Sequence, residues 1–403
     1  MPTTIPAAFR LAGVHAGIKR NPNKQDLALI VSDVPAVAAG VYTTNKVFAA
    51  PVAFDRARTP GEGFRAVVIN SGNANACTGE RGLADAAEMA RLAAATCGAT
   101  ADQALVLSTG VIGFFMPMDK VAAGIEAAAR HLGRSEEVLV AAARGMMTTD
   151  TVHKLSGRSI VLSFGAAHVL GMAKGAAMIA PNMGTMLGVV LTDAPLTPAL
   201  AQELLSAAVV DTFNCISVDG HMSTNDTVLL LANGAAQGGD AAARQPLGGA
   251  DLETFRAALH DVCGELAKAI PADGEGATHL ITIDVVGCRT RDDAHRIARS
   301  VADSPLVKTA IAGADPNWGR IVSAVGYAGV DFDPLDVELT VNGYLLYRHG
   351  APVSFDAKTV SQAIRERRDT SVVLKLTAGD ASVRFWTTDL TAEYVRLNAD
   401  YTT

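Results

Sequence analysis

Several short runs in this chain are apolar on both faces, and they limit the fold more than anything else in the sequence. Strand candidates are residues 66–70 (AVVIN), 104–108 (ALVLS), 159–164 (SIVLSF), 186–191 (MLGVVL), 227–232 (TVLLLA) and 280–286 (LITIDVV). A strand without polar alternation has no face to give to water, so it belongs inside a sheet covered on both sides. The covering layers are legible between the strands. Residues 83–97 and 118–132 are alanine-rich with helical spacing. Ser135 is a candidate cap for a further helix, with Glu136 and Glu137 in its first turn. Thr197-Pro198 reads as N-cap and first turn of the next, and residues 251–270 form another long helix. The pattern predicts an α/β fold with sheets between helix layers. Asn342-Gly343 marks a hairpin, and Ala378-Gly379-Asp380 reads as the turn of a second. The last quarter, from about residue 280, is therefore expected to be a smaller, more antiparallel subdomain. Residues 233–251 read as a Gly/Ala-rich surface loop.

Composition narrows the function classes. The 403 residues are 49% hydrophobic and 19% charged, enough apolar content for a large core and too much for disorder. The net charge is −7 and no basic cluster stands out, so nucleic acid is not an expected partner. The five cysteines are widely spaced with no CxxC, which predicts neither a disulfide framework nor a zinc site. No stretch is apolar for the ~18 residues a membrane span needs. The first 20 residues lack a signal-type apolar segment, so a cytoplasmic location is expected. Neither GxxxxGK[ST] nor a strand-linked GxGxxG occurs, which disfavours a nucleotide-binding enzyme.

One junction is unusual. In KGAAMIAPNMGTMLGVVLTDA (residues 174–194), the flexible pair Gly184-Thr185 opens directly onto a buried strand. Read plainly, it is a loop-to-strand junction. Read chemically, it is a bond built to break. A threonine hydroxyl is a weak nucleophile until a base takes its proton. The α-amine of the same residue, with an ordinary pKa of about 7.7–8.0, is such a base, but it exists only if Thr185 becomes an N-terminus. The hydroxyl can create that terminus by attacking the preceding carbonyl, and Gly184 offers no side chain to obstruct it. Pro181-Asn182 can supply the tight turn.

Other stretches contain the groups such a nucleophile needs, although each also has an ordinary structural reading. Residues 106–113 (VLSTGVIG) present backbone N–H groups and the Thr109 hydroxyl to a developing oxyanion. Residues 146–151 (MMTTDT) gather hydroxyls and a carboxylate at a helix end. Glu275 lies between glycines in DGEGAT. Residues 218–227 (VDGHMSTNDT) carry polar groups into an apolar strand, where a buried Asn and Asp would need partners. Residues 315–320 (DPNWGR) read as a tertiary pin as readily as a site. The terminal LNADYTT keeps polar groups to the last residue.

With these residues in place, the chain resembles the ornithine acetyltransferase family, also called the arginine biosynthesis bifunctional protein. The motifs GVHAGIK, AGVYTTNKVFAAPV, INSGNANACTG, STGVIG, TTDT, AKGAAMIAPNMGTML, STNDTVLLLANG, DGEGAT, VKTAIAGADPNWGRI and NADYTT stand in the family order over nearly the whole chain. The resemblance implies a layered α/β sandwich of the self-cleaving ornithine acetyltransferase type, with a smaller C-terminal subdomain. It implies cleavage between Gly184 and Thr185 into an α chain (1–184) and a β chain (185–403), interwoven and paired as α2β2. Thr185 would take the acetyl group of N2-acetyl-L-ornithine and pass it to L-glutamate. Thr109 and Gly110 would form the oxyanion hole. Thr151, Lys174, Thr185, Glu275, Asn398 and Thr403 would line the substrate site. No cofactor or metal is implied, and acetyl-CoA would enter only as a further acetyl donor. The family pattern has Ala where this chain has Gly184, and cleavage is expected to survive that change. Rival readings are a self-cleaving aminopeptidase of related fold, which would typically use Ser, and an uncleaved amino-acid-binding protein.

Overall fold

The computed structural model describes residues 4–179, 186–239 and 244–400. Its strands are β1 (Phe9–Val14), β2 (Leu27–Tyr42), β3 (Gly61–Asn73), β4 (Ala104–Val111), β5 (Lys154–Leu162), β6 (Gly165–Lys174), β7 (Leu187–Thr192), β8 (Ile216–Ser217), β9 (Thr227–Ala232), β10 (Leu280–Cys288), β11 (Glu338–Val341), β12 (Tyr344–Arg348), β13 (Ala351–Pro352), β14 (Asp369–Lys375) and β15 (Ala381–Thr388). Its helices are α1 (Ala50–Arg56), α2 (Gly79–Ala95), α3 (Met118–Arg130), α4 (Glu136–Met146), α5 (Pro198–Asp211), α6 (Gly249–Ala272), α7 (Arg291–Ala302), α8 (Pro305–Ala312), α9 (Trp318–Gly326), α10 (Ala357–Arg365) and α11 (Ala392–Asp400). Among the described residues, no helix is long and apolar enough to cross a membrane.

The strands form two sheets. In the first the order is β4-β3-β2-β9-β7-β6-β5, with β1 also paired to β2. Its central strands are buried along their whole length, as β7 and β9 show. Alternate residues enter different cores. Val190, Val228 and Leu230 pack with Leu204 and Leu205 of α5 and Phe255, Leu259 and Val262 of α6. Val189, Leu191, Leu229 and Leu231 face the other way, sharing a core with Val67 and Ile69 of β3 and with Leu139, Ala142 and Met146 of α4. The opposite face of β3, Ala66 and Val68, packs on Ala86, Met89 and Ala90 of α2 and Val121 and Ile125 of α3. The two halves of the sheet thus enclose a common core with α4 at its edge, and a helix layer covers each outer face. This is the layered α/β arrangement that the non-alternating strands predict.

Local signals succeed unevenly. Thr197 caps α5, accepting the Leu200 N–H at its side chain. Ser135 stands at the N-cap position of α4 but makes no capping bond with its side chain. Its hydroxyl serves the Glu137 carboxylate instead, holding that acid below its usual range. Residues 163 and 164 belong to the turn between β5 and β6, not to the strand predicted there, because β5 starts earlier at Lys154 and ends at Leu162.

The second sheet has the order β13-β12-β11-β14-β10-β15-β8. β11 and β12 form the predicted Asn342-Gly343 hairpin. The second predicted hairpin does not form. β14 runs parallel to β10, and β15 runs antiparallel to the other edge of β10. The turn at 378–380 therefore crosses the end of an intervening strand. It is fastened there, with Gly287 O accepting the N–H groups of Ala378 and Gly379. Turn chemistry reports that the chain reverses and not which strand lies beside it. Here burial of Ile281, Ile283 and Val285 in the second core places β10 between the two arms.

A buried ammonium ties α8 to the β15–β8 edge of the second sheet, where the connector to β9 begins. Lys308 on α8 donates from Nζ to Val218 O (2.8 Å), Thr387 Oγ1 (3.0 Å), Thr388 O (2.6 Å) and Thr388 Oγ1 (3.1 Å). Burial lowers its pKa to about 8, against the pull of Asp303, Asp219 and Asp389. An unfolded lysine titrates near 10.4, so between about pH 8 and pH 10 the unfolded chain binds the extra proton and rising pH favours the folded state. The wild-type unfolding free energy measured by chemical denaturation is expected to gain on that of Lys308→Met as pH rises from about 8 to 10. A difference that stays constant or shrinks across that window would contradict this role.

Candidate functional site

A cavity of about 250 Å³ opens where the C-terminal ends of β4 and β6 meet three loops and the last helix. β4 contributes Thr109 and Gly110, β6 contributes Lys174, and the segment after α4 contributes Thr148 and Thr149. The connector from β8 to β9 contributes Asp219, His221, Ser223, Thr224 and Asn225. The turn after α6 contributes Glu275, and α11 contributes Tyr394 and Asn398.

The floor is built from the end of β4. Gly110 has φ +134°, and a Cβ there would lie 2.3 Å from the Gly72 carbonyl carbon, so only glycine fits this approach of β4 to β3. The buried Asn225 side chain ties the floor down, donating to Ala74 O (2.6 Å) and Ser108 O (2.8 Å). The sequence requirement that this asparagine find partners is met there. Lys174 reaches the floor from β6, its Nζ 3.3 Å from Thr109 Oγ1. An ammonium has donors and no acceptor, so the Thr109 oxygen must accept and its own O–H remains free to donate.

Charge is packed tightly behind this pair. Lys174 is fully buried, and burial lowers its pKa against the pull of Asp150, Asp226 and Glu275. Asp150 is also buried. Burial opposes its charge, yet Lys174 and Lys154 prevail and bring its pKa to about 2. Asp150 Oδ1 accepts the Gly175 N–H and the Lys154 ammonium, each at 2.7 Å, and thereby holds the end of β6. Lys154 also donates to Asp273 at 2.7 Å. The TTDT stretch and the DGEGAT turn are therefore one ionic network.

The wall opposite is made by Glu275. Its backbone N–H donates to Ala176 O at 2.8 Å, and its carboxylate accepts from Asn398 Nδ2 at 2.9 Å. The adjacent Gly276 explains the glycine-flanked pattern, since a Cβ there would lie 2.5 Å from the Tyr394 nitrogen of α11. What the sequence reads as a terminal tail is, up to Asp400, a helix that closes the cavity.

Thr109, Gly110, Lys174, Glu275 and Asn398, all expected from sequence, thus line one cavity. Thr151 stands apart from the lining, with its N–H and hydroxyl both given to Asp273. Gly184, Thr185 and Thr403 lie outside the described residues. Met186, which follows Thr185, is described and buried, and Leu187 pairs with Lys174 on one side and Thr227 on the other. The chain emerging from residue 185 thus enters the sheet beside Lys174. DPNWGR lies elsewhere and acts as a pin, Trp318 stacking on Tyr347 with ring centroids 5.5 Å apart. Sequence reading missed Tyr394, Asp219 and His221 as lining residues. The polar run VDGHMSTNDT was the available signal for the last two, and nothing local marked Tyr394.

Comparisons with known proteins identify the family. The model of the ArgJ family matches residues 10–403. The arginine biosynthesis bifunctional protein ArgJ of Rhodopirellula baltica is 46% identical over 405 residues, covering 100% of this chain and 98% of that protein. Its counterpart from Symbiobacterium thermophilum is 48% identical, covering 99% and 98%. A crystal structure of arginine biosynthesis bifunctional protein argJ from Bacillus halodurans aligns with a TM-score of 0.50 at 36% identity, covering 53% of this chain and 98% of that one. With a family match that runs from residue 10 to the last residue, and relatives alike over nearly their full length, this chain belongs to the ArgJ family.

Proposed function

We propose that this enzyme cuts itself between Gly184 and Thr185 and then carries acetyl on the threonine so exposed. As an ArgJ family member it is an acetyltransferase of arginine biosynthesis, moving acetyl from N2-acetyl-L-ornithine to L-glutamate. In the cut, the Thr185 oxygen attacks the Gly184 carbonyl and the peptide C–N bond breaks. The hydroxyl proton ends on the released nitrogen, and water hydrolyses the resulting ester. In transfer, the α-amine of Thr185 takes the hydroxyl proton as the oxygen attacks the acetyl carbonyl. The tetrahedral intermediate expels ornithine, whose nitrogen takes that proton. The glutamate amine then attacks the acetyl-threonine ester, the acyl C–O bond breaks, the amine's proton passes through the α-amine to the Thr185 oxygen, and N-acetylglutamate leaves. Both halves form an oxyanion at one place, so one set of donors serves both.

The Lys174–Thr109 hydrogen bond is the observation that carries this reading. It turns the Thr109 hydroxyl into a free donor at the cavity floor, beside Gly110 and next to where residue 187 enters the sheet. Lys174, expected from the resemblance to line the substrate site, is buried deeply enough to act first on Thr109. Glu275 takes the ornithine side-chain ammonium in this reading, supported by its carboxylate lining the cavity under the hold of Asn398. Thr151 acts through Asp273, and Thr403 belongs to the same substrate site. The acetyl group arrives on the substrate, so no cofactor is required, and acetyl-CoA is the alternative donor to test.

Strand pairing across the cut supports fragments that stay together. β6, before the cut, pairs with β7 after it, and β2 pairs with β9, so both pieces share one sheet. We extend the reading to an α2β2 assembly in the cytoplasm.

Intact-protein mass spectrometry is expected to show two fragments for the wild type and one full-length species for Thr185→Ala. That variant should transfer no acetyl from acetylornithine to glutamate, and normal turnover by it would refute the nucleophile. Thr109→Ala removes one oxyanion donor, so its kcat for acetylornithine with glutamate should fall about 10²-fold or more with KM little changed. Steady-state kinetics with acetylornithine and with acetyl-CoA as separate donors read both quantities.

A further inference from the structure

Helix α11 closes the cavity although none of its residues, Ala392–Asp400, is buried. Burial of an apolar face is what fixes most helices in proteins, so α11 is held in another way. Residues three and four apart share one helical face, and Thr391, Tyr394 and Asn398 fall on such a face. Each of them donates a hydrogen bond. Thr391, just before the helix, donates from Oγ1 to Gly276 O at 2.7 Å, and Asn398 Nδ2 donates to Glu275 Oε2 at 2.9 Å. Both of these reach the turn after α6. Tyr394 reaches the connector between β8 and β9, its hydroxyl donating to Asp219 Oδ2 at 3.1 Å. The opposite side of the helix carries ion pairs of its own, Arg396 with Glu393 and Asp400, which anchor it to no other element.

Asp219 is a firm anchor. Its carboxylate also accepts the backbone N–H groups of Met178 (2.6 Å), Ile179 (2.8 Å) and His221 (3.2 Å). It is thereby fixed both to the chain that follows β6 and to its own connector. Burial and the Asp219 charge raise the Tyr394 pKa above its ordinary value, so the hydroxyl keeps its proton and remains a donor.

Closure has a chemical purpose in a two-step transfer. Ornithine must leave and glutamate must enter while acetyl stands as an ester, and water is a competing acceptor throughout. Resting on the acetyl-enzyme reading above, we propose that Tyr394 is a positioning residue that latches α11 to Asp219, and that this latch sets how much acetyl is lost to water. In that loss a water oxygen attacks the ester carbonyl and the acyl C–O bond breaks. One water proton goes to the threonine oxygen, and acetate leaves with its own proton given to solvent. Tyr394 takes no part in the bond changes. It sets how often the wall formed by α11 opens.

The test compares the wild type with Tyr394→Phe, which keeps the ring and loses the hydroxyl. Acetate release is followed with acetylornithine and no glutamate, and N-acetylglutamate formation with both substrates. The ratio of the first rate to the second should rise about tenfold in Tyr394→Phe, the equilibrium effect of one hydrogen bond to a charged group. Backbone hydrogen exchange in α11 should quicken by a similar factor while β7 is unchanged. Thr391→Val, which frees the start of the helix, should move both readings the same way and serves if the Phe variant does not fold. An unchanged ratio would overturn the proposal, as would faster acetate release with no change of exchange in α11. A wild type that acquires no acetylated fragment from acetylornithine alone would instead undo the acetyl-enzyme reading, on which the exchange result does not depend.

Discussion

The pairing of β7 between β6 and β9 is the constraint from which the site follows. It sets Leu187 opposite Lys174 on one side and Thr227 on the other. The segment that follows Gly184-Thr185 is thereby fixed in the middle of a sheet buried on both faces. Strand register allows no gradual adjustment, since a slip of one residue would send every side chain of β7 to the opposite core. Val190 and Val189 enter different cores, so such a slip is opposed on both faces.

Around that strand the protein spends unusual amounts of buried charge. Lys174, Lys154, Asp150 and Asp273 form one network at the end of β6, and Lys308 joins the β8–β9 connector to the second sheet. Buried ions are a weak source of stability, because desolvation offsets much of their attraction. Their value here is geometric. Asp150 fixes Gly175, Asp219 fixes Met178 and Ile179, and Asp226 fixes Met186. Each carboxylate holds the backbone at a point where the chain leaves regular structure to form the cavity. Neighbouring cations hold Asp150 at about 2 and burial lowers Lys174, so the site's acids and bases are set by their surroundings and not by their type.

Much of this could be read before any coordinates. MLGVVL and TVLLLA announce a doubly covered sheet, and the helices over 83–97, 118–132 and 251–270 correspond to α2, α3 and α6. Asn225 in STNDT needs partners, and it has them. The turn at 378–380 was read as a hairpin because local chemistry is all that a turn displays, whereas β10 reaches its place between β14 and β15 from about ninety residues upstream. Thr151 is drawn away from the cavity lining by Asp273, a partner that no local pattern names. Tyr394 was missed because a lone tyrosine on a helix has an ordinary reading until the helix is seen against Gly276.

By itself, then, the sequence determined burial, element type and the inventory of reactive groups, since these depend on residue chemistry and on spacings within a few turns or strands. The tertiary structure alone decided which of those groups meet. Lys174 and Thr109 are 65 positions apart, and Asn398 and Glu275 are 123 apart, yet each pair is in hydrogen-bond contact. No periodicity encodes such pairings. They result from strand order and from the packing of α11 against the turn after α6, where the lowest free energy is a property of the whole core.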